Sequence, residues 1–138
     1  MHASLRGKSC QPFNSDTKVR IEFPDHTRFY YPDAMVVCPT NPDTDHFQNQ
    51  PVVIIEVLSD SIRRTDLGEK RDAYLTMPSL KTLVFVGTET ASVTLHRRVP
   101  EGGFAIERYH GFDATISLPE IGEDLPLKDL YERVEFKD

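Results

Sequence analysis

Three ionisable side chains, Asp33, Glu56 and Lys70, have the types and spacing that a hydrolytic metal site requires. Glu56 lies inside the apolar run VVIIEVL, residues 52–58, which predicts a strand buried on both faces. A charge buried in such a strand is costly, so the carboxylate must be paired with a cation, bound to a metal or protonated. The partner of Glu56 therefore decides between an enzyme and a structural ion pair.

Asp33 immediately precedes a second predicted strand, residues 34–38. If this strand is antiparallel to strand 52–58, Asp33 meets Glu56 at one rim of the sheet. Two carboxylates that close raise one pKa unless a cation lies between them. Mg²⁺, with Mn²⁺ as a substitute, suits a site with two protein carboxylates and open positions for water and a phosphate oxygen. Such a metal activates bound water and stabilises charge at phosphorus.

Lys70 belongs to a helical stripe with Leu67, Tyr74 and Met77, and it interrupts a face that otherwise points inward. Its ammonium either pairs with Asp66 one turn earlier or reaches the carboxylate rim from the helix. At the rim it would orient the attacking water or stabilise developing negative charge. We expect Tyr74 to be a core aromatic residue.

Both carboxylates also have structural alternatives. Asp33 follows Pro32 and can cap a turn, and Glu56 can pair with Arg63 or Arg64. The pairs Arg63-Arg64 and Lys70-Arg71 are the candidates for a basic patch that contacts nucleic acid, although a solvated surface is the commoner role of such pairs.

The surrounding elements follow the order strand, strand, strand, helix, strand, strand, strand, with a short helical segment at the C-terminus. The helix precedes Pro78 and connects strands 52–58 and 80–87 as a crossover between parallel neighbours, whereas the other pairs are antiparallel. We therefore predict a single domain, residues 1–138, of the α/β class bordering on α+β, with a mixed central sheet flanked by helices. The other predicted strands are 18–23, 92–99 and 103–109.

Composition excludes several functional classes. The net charge of −6 disfavours nucleic-acid binding through bulk charge, so any DNA contact needs a local basic patch. Neither a membrane span nor an apolar secretory segment is present, which predicts a cytoplasmic protein without a membrane partner. Cys10 and Cys38 form no CxxC pair and the histidines form no HExxH motif, which argues against zinc and thioredoxin-like sites. Two cysteines in a cytoplasmic chain predict reduced thiols.

The segments YYPDAMVVC, IIEVLSDSIRRTDLGEKRDAYL and LVFVG together resemble the Uma-two family of endonucleases in the PD-(D/E)XK, or restriction-endonuclease-like, superfamily. The resemblance covers most of the chain. It implies a restriction-endonuclease-like mixed sheet, with Asp33 and Glu56 as metal ligands. The implied reaction is magnesium-dependent hydrolysis of DNA phosphodiester bonds by an activated water.

The resemblance also bears on the lysine. In the superfamily motif a lysine stands two residues after the glutamate, where this chain has Leu58. In the Uma-two pattern the lysine lies on the following helix, which implies the catalytic role for Lys70.

Family members usually carry a hairpin and a long helix before this point, and HASLRG resembles the end of that helix. We therefore expect a domain that lacks part of the usual N-terminal region, and a homodimer that covers the exposed apolar surface. The same departure supports an alternative function, a catalytically inactive nuclease-fold remnant that acts as an interaction or regulatory domain.

Overall fold

The computed structural model describes residues 10–38, 40–42, 44–58, 64–88 and 91–133, with the backbone alone at 64–66, 132 and 133. The described chain forms strands, two α-helices and a short 3-10 helix at Pro119–Ile121. The helices are α1 (Arg64–Leu75) and α2 (Leu127–Arg133). The strands are β1 (Gln11–Asn14), β2 (Lys18–Glu22), β3 (Thr27–Tyr30), β4 (Ala34–Val37), β5 (Phe47–Gln48), β6 (Pro51–Leu58), β7 (Thr82–Gly87), β8 (Ser92–Arg98), β9 (Phe104–His110), β10 (Thr115–Leu118) and β11 (Glu123–Pro126).

The central sheet contains six strands in the order β1-β4-β6-β7-β8-β9. β6 and β7 are parallel and are connected through α1, so the predicted crossover between parallel neighbours is confirmed. Every other neighbouring pair in this sheet is antiparallel. Mixed sheets with few helices make the fold α+β, the class that the prediction placed at its border.

Each face of the central sheet packs against its own hydrophobic cluster. On the first, here called the α1 face, α1 and β2 cover the sheet. On the opposite side, the α2 face, the cover comes from β10, β11 and α2. The side chains of β6 alternate between the two, because successive residues of a strand point to opposite faces. Ile54 belongs to the α1 face and Val53 and Ile55 to the α2 face.

Two smaller sheets flank the central one. β2 pairs with β3 as an antiparallel hairpin and with β5 in parallel, and β10 pairs with β11. Val19 and Ile21 of β2 are buried in the cluster on the α1 face. The β2–β3 hairpin therefore packs beside α1 on the α1 face of the central sheet.

Arg98 fixes the segment that follows α1. Its Nε donates to the carbonyl oxygen of Leu80 at 2.8 Å, and one Nη donates to that of Met77 at 2.9 Å. Both carbonyl groups belong to the connection between α1 and β7. Because Arg98 belongs to β8, the C-terminal end of α1 is held to the central sheet.

Three details of the sequence prediction are wrong. The second strand was predicted within RFYYPDAMVVCP, residues 28–39, with 34–38 as its core. The core forms β4, but residues 28–30, before Pro32, belong to β3 of a small sheet. β1 and β5 were assigned to no strand, because both are short and carry little alternation of polar and apolar residues. The segment that begins at Ile116 was predicted as a short strand, a loop and a brief C-terminal helix; the short strand is β10, and the predicted loop contains β11.

The prediction of reduced thiols is also wrong, because Cys10 and Cys38 form a disulfide. β1 is antiparallel to β4, and Gln11 lies opposite Val37, so the next pair along the register is Cys10 and Cys38. Their Cα atoms are 4.2 Å apart. The bond links the edge strand β1 to β4 covalently.

In the part of the chain that the structure describes, no helix is long and apolar enough to span a bilayer.

Candidate active site

Glu56 occupies the α1 face near the end of β6. Its neighbours across the two adjacent strands follow from the registers: Phe85 lies directly opposite on β7, and Ala34 opposite Ile55 places Asp33 at the β4 side. Glu56 is 5% exposed, so the carboxylate is withdrawn from bulk water. Such a group must find partners inside the protein.

Lys70 supplies the charge that Glu56 needs. Its Nζ lies 2.6 Å from Oε2 of Glu56. The lysine side chain reaches the carboxylate from α1 and remains 28% exposed. The ammonium therefore connects a buried carboxylate with the solvent side of the site, where a substrate would approach. The alternative pairing with Asp66 involves a side chain outside the described residues.

Tyr74 is the second partner of Glu56. Tyr74 lies one turn after Lys70 on α1 and is fully buried. Its hydroxyl donates a hydrogen bond of 2.8 Å to Oε2 of Glu56. Sequence reasoning assigned Tyr74 to the core, which is correct for the ring, but it missed the role of the hydroxyl. The signal was available, because Lys70 and Tyr74 share one helical stripe and a helix that directs one at Glu56 directs both.

Asp33 is held at the rim by the backbone of β6. Its Oδ2 accepts a hydrogen bond of 2.7 Å from the backbone N–H of Val57. The proximity of the two carboxylates is also evident electrostatically, because the charge of Asp33 contributes to raising the pKa of Glu56. The structure thus brings Asp33, Glu56 and Lys70 together from three different elements.

Residues of β3 close the site from the side of the small sheet. The ring of Tyr30 lies 5.6 Å from Nζ of Lys70 and contacts the Tyr74 ring edge-on. Arg28 forms an ion pair with Glu69, the residue before Lys70. These contacts hold α1 against the β2–β3 hairpin and so orient the lysine. Sequence reasoning did not identify Arg28 or Tyr30, because the pairing of β3 was not predicted.

Opposing effects act on the Glu56 carboxyl group. Burial raises its pKa above the usual value, while the ammonium of Lys70 and the hydroxyl of Tyr74 lower it. The raising effects prevail. Burial and the negative charge of Glu56 also raise the pKa of Tyr74, so this hydroxyl stays protonated and acts as a donor.

The oxygen atoms of Asp33 and Glu56 are hard ligands of the kind that Mg²⁺ and Mn²⁺ prefer. Among the described residues, no group of three or more His, Cys, Asp or Glu side chains is placed to hold a metal.

The two arginines predicted to contact DNA are not tested. Arg63 lies outside the described residues, and Arg64 is the first residue of α1 with its side chain outside them. Among the side chains that are described, the partners of Glu56 are a lysine and a tyrosine.

Comparisons with known proteins identify the family of the chain and a solved structure with the same fold. The model of the Uma2 family, described as "Putative restriction endonuclease", matches residues 1–128. An uncharacterized protein of Synechocystis sp. is 28% identical over 133 residues, which make up 96% of this chain and 68% of that protein. The crystal structure of a "putative nuclease belonging to DUF820" from Anabaena variabilis is 20% identical, with a TM-score of 0.68. The match covers 95% of this chain and 73% of that one, and it establishes a shared fold.

Proposed function

Because the chain belongs to the Uma2 family, we propose that it is a metal-dependent nuclease that hydrolyses DNA phosphodiester bonds. The observation that carries the proposal is the convergence of Asp33, Glu56 and Lys70 at one rim of the central sheet. The fold shared with the "putative nuclease" of Anabaena variabilis supports it by analogy.

Asp33 and Glu56 would hold the ion, Mg²⁺ or Mn²⁺. The residues fit such an ion, since a buried carboxylate beside a second carboxylate gains from a divalent charge between them. When bound, the metal lowers the pKa of water and stabilises negative charge on the phosphate.

We assign to Lys70 the role of orienting the attacking water or stabilising the negative charge that develops at phosphorus. Its ammonium has three N–H donors, and Glu56 accepts from one of them. The exposed part of the side chain leaves it accessible to a water or to a non-bridging phosphate oxygen. In the hydrolysis, water oxygen bonds to phosphorus, one ester bond breaks, and the leaving oxygen takes a proton. The products are a phosphate monoester end and a hydroxyl end.

Tyr74 and Asp33 differ in what they do around this centre. Tyr74 fixes the orientation of the Glu56 carboxylate, and the backbone of β6 fixes Asp33. A preorganised pair of ligands avoids reorganisation during the reaction.

The test is cleavage of plasmid and single-stranded DNA with Mg²⁺ or Mn²⁺, comparing the wild type with Glu56→Ala. We expect Glu56→Ala to abolish cleavage. Glu107→Ala is the matched control, because Glu107 pairs with Arg97 on the α2 face and should be dispensable for cleavage. Equal activity of wild type and Glu56→Ala would overturn the assignment.

A second function, a non-catalytic domain on the nuclease fold, is favoured by one observation. Lys70 already neutralises Glu56, so the buried charge is tolerated with no metal. Calorimetric titration with Mg²⁺ and Mn²⁺ separates the two functions. Binding that is lost in Asp33→Asn supports the nuclease, and absence of binding to the wild type supports the non-catalytic domain.

A further inference from the structure

The strand registers place residues of β7, β8 and β9 in one row with Glu56 across the central sheet. Glu56 lies opposite Phe85, Phe85 opposite Thr94, and Thr94 opposite Arg108. Residues that are directly opposite in a sheet project from the same face. Arg108 of β9 therefore lies on the α1 face, in one row with the candidate metal ligand.

The separation along this row is suited to duplex DNA. Neighbouring strands are roughly 4.8 Å apart, so the three steps from Glu56 to Arg108 amount to roughly 14 Å. A duplex advances 3.4 Å per base pair, so this distance corresponds to about four base pairs. A phosphate backbone with one phosphate at the carboxylate site can thus have a later phosphate at Arg108.

A second arginine approaches the same area from the helix. Arg71 follows Lys70 on α1, and the positive charges of Arg71 and Arg108 both lower the pKa of His96, in addition to the larger effect of burial. Both guanidinium groups are therefore close enough to the buried His96 to act on it electrostatically, and His96 is two residues from Thr94 on β8. Arg71 does contact Asp72, but an exposed pair of this kind contributes little.

The acidic residue of β9 does not reach this surface. Glu107 points to the α2 face, where it binds Arg97 and Tyr109. Arg108 is exposed, and among the described side chains no carboxylate pairs with it. The chain as a whole has a net charge of −6. The surface around Arg71 and Arg108 carries two positive charges, and β8 and β9 direct no carboxylate side chain toward it. This surface is therefore complementary to a polyanion.

We propose that the surface formed by Arg71, Thr94 and Arg108, here called the β9 surface, binds the phosphate backbone of duplex DNA that extends from the carboxylate site. The proposal rests on the proposed nuclease function for the identity of the ligand. The arginines contact phosphate, and the Thr94 hydroxyl adds a donor opposite Arg108. Such contacts position the duplex and carry no sequence preference.

Equilibrium binding of a short fluorescein-labelled duplex, measured by fluorescence anisotropy in EDTA, tests the β9 surface without cleavage. We expect Arg71→Ala and Arg108→Ala each to weaken binding about tenfold. Each should also reduce the slope of log K against log salt concentration by about 1. Arg108→Lys keeps the charge and should retain most of the affinity.

Lys128→Ala is the matched control, because it removes one exposed positive charge from α2 on the opposite side of the sheet. It should leave binding unchanged. The proposal is overturned if the arginine variants bind like the wild type, if Lys128→Ala loses as much affinity, or if the wild type binds no duplex at low salt.

These results are distinguishable from the test of the nuclease function. Arginine-dependent binding without metal-dependent cleavage retains the β9 surface and rejects the nuclease. Cleavage that Arg71→Ala and Arg108→Ala leave intact, with unchanged binding, retains the nuclease and rejects the β9 surface. As an independent readout, the NMR titration of His96 should shift to higher pH when the duplex is added, because phosphates offset the two arginines. Because His96 is itself buried, an unchanged titration would mean that no phosphate lies near the β9 surface.

Discussion

The ammonium nitrogen of Lys70 lies 2.6 Å from Oε2 of Glu56, which explains how a carboxylate is tolerated in an otherwise apolar strand. The cation comes from α1, the element that directly follows β6 in the chain. The crossover helix between two parallel strands therefore completes the candidate site as well as covering the sheet.

Removal of the cation should cost both stability and activity. In Lys70→Met, Glu56 stays buried with the Tyr74 hydroxyl but without a neutralising charge. We expect a loss of about 1–3 kcal/mol in the free energy of unfolding, below the usual cost for a fully buried pair because Lys70 is partly exposed. Urea denaturation at neutral pH measures the loss, and DNA cleavage should fall to background.

The double variant Lys70→Met/Glu56→Gln provides the control for this prediction. Because it removes the buried charge together with its partner, it should be more stable than Lys70→Met alone. If the loss of unfolding free energy in the double variant equals the sum of the losses in Lys70→Met and Glu56→Gln, Lys70 and Glu56 are not energetically coupled.

Tyr74→Phe isolates the hydroxyl from the ring. The buried ring remains, while Glu56 loses a hydrogen bond, so we expect a destabilisation of about 1 kcal/mol and a reduction of about tenfold in cleavage rate. Tyr109→Phe is the matched control, because the Tyr109 hydroxyl donates to Glu107 on the α2 face. It should leave the cleavage rate unchanged. A normal rate in Tyr74→Phe would mean that Tyr74 does not position the carboxylate.

The stability of the chain should report the raised pKa of Glu56. Because its folded pKa lies above the unfolded value near 4.5, the folded chain binds more protons between the two values, and stability falls as pH rises through that window. Glu56→Gln has no such titration. The free energy of unfolding of the wild type relative to Glu56→Gln should therefore decrease as pH rises above about 4.5 and level off above the folded pKa. A difference that increases with pH would mean that the Lys70 ion pair outweighs burial.

The disulfide should stabilise the chain by restricting its unfolded state. Cys10 and Cys38 are 28 residues apart, and a loop of that length corresponds to about 3–4 kcal/mol. Reduction with dithiothreitol, or Cys38→Ser, should lower the free energy of unfolding by that order. Thiol alkylation and mass spectrometry count the thiols before and after reduction. In Cys38→Ser the reductant should have no further effect, and two free thiols in the native wild type would contradict the bond.

The parts of the fold that sequence reasoning predicted are those with strong local signals. The apolar run 52–58, the helix before Pro78 and the strand that follows lie where periodicity placed them. The antiparallel pairing of β4 and β6, which brings Asp33 to Glu56, follows from the same two strands. β4, β6 and α1 are therefore sufficient to predict that Asp33, Glu56 and Lys70 converge.

The remainder depends on contacts between distant segments. The position of β3 beside β2, and hence the contact of Tyr30 with Lys70, depends on pairing that the residues of β3 do not specify by themselves. The disulfide requires β1 to lie beside β4, and four residues give too weak a signal to predict that. The hydroxyl partner of Tyr74 lies on another element, so burial alone gave an incomplete account of this residue.

The irregularity in the β4–β6 ladder lies between Val36 and Val37, away from Asp33. A slip of one residue in a strand moves every side chain to the opposite face, and here it would carry Asp33 away from Glu56. The register is regular from Ala34 to Val36, and the irregularity beyond Val36 already accommodates one extra residue of β6. Evolution or engineering can therefore lengthen or shorten the connection between β4 and β6 while keeping the two carboxylates in register, whereas one deletion between Asp33 and Val36 would separate them.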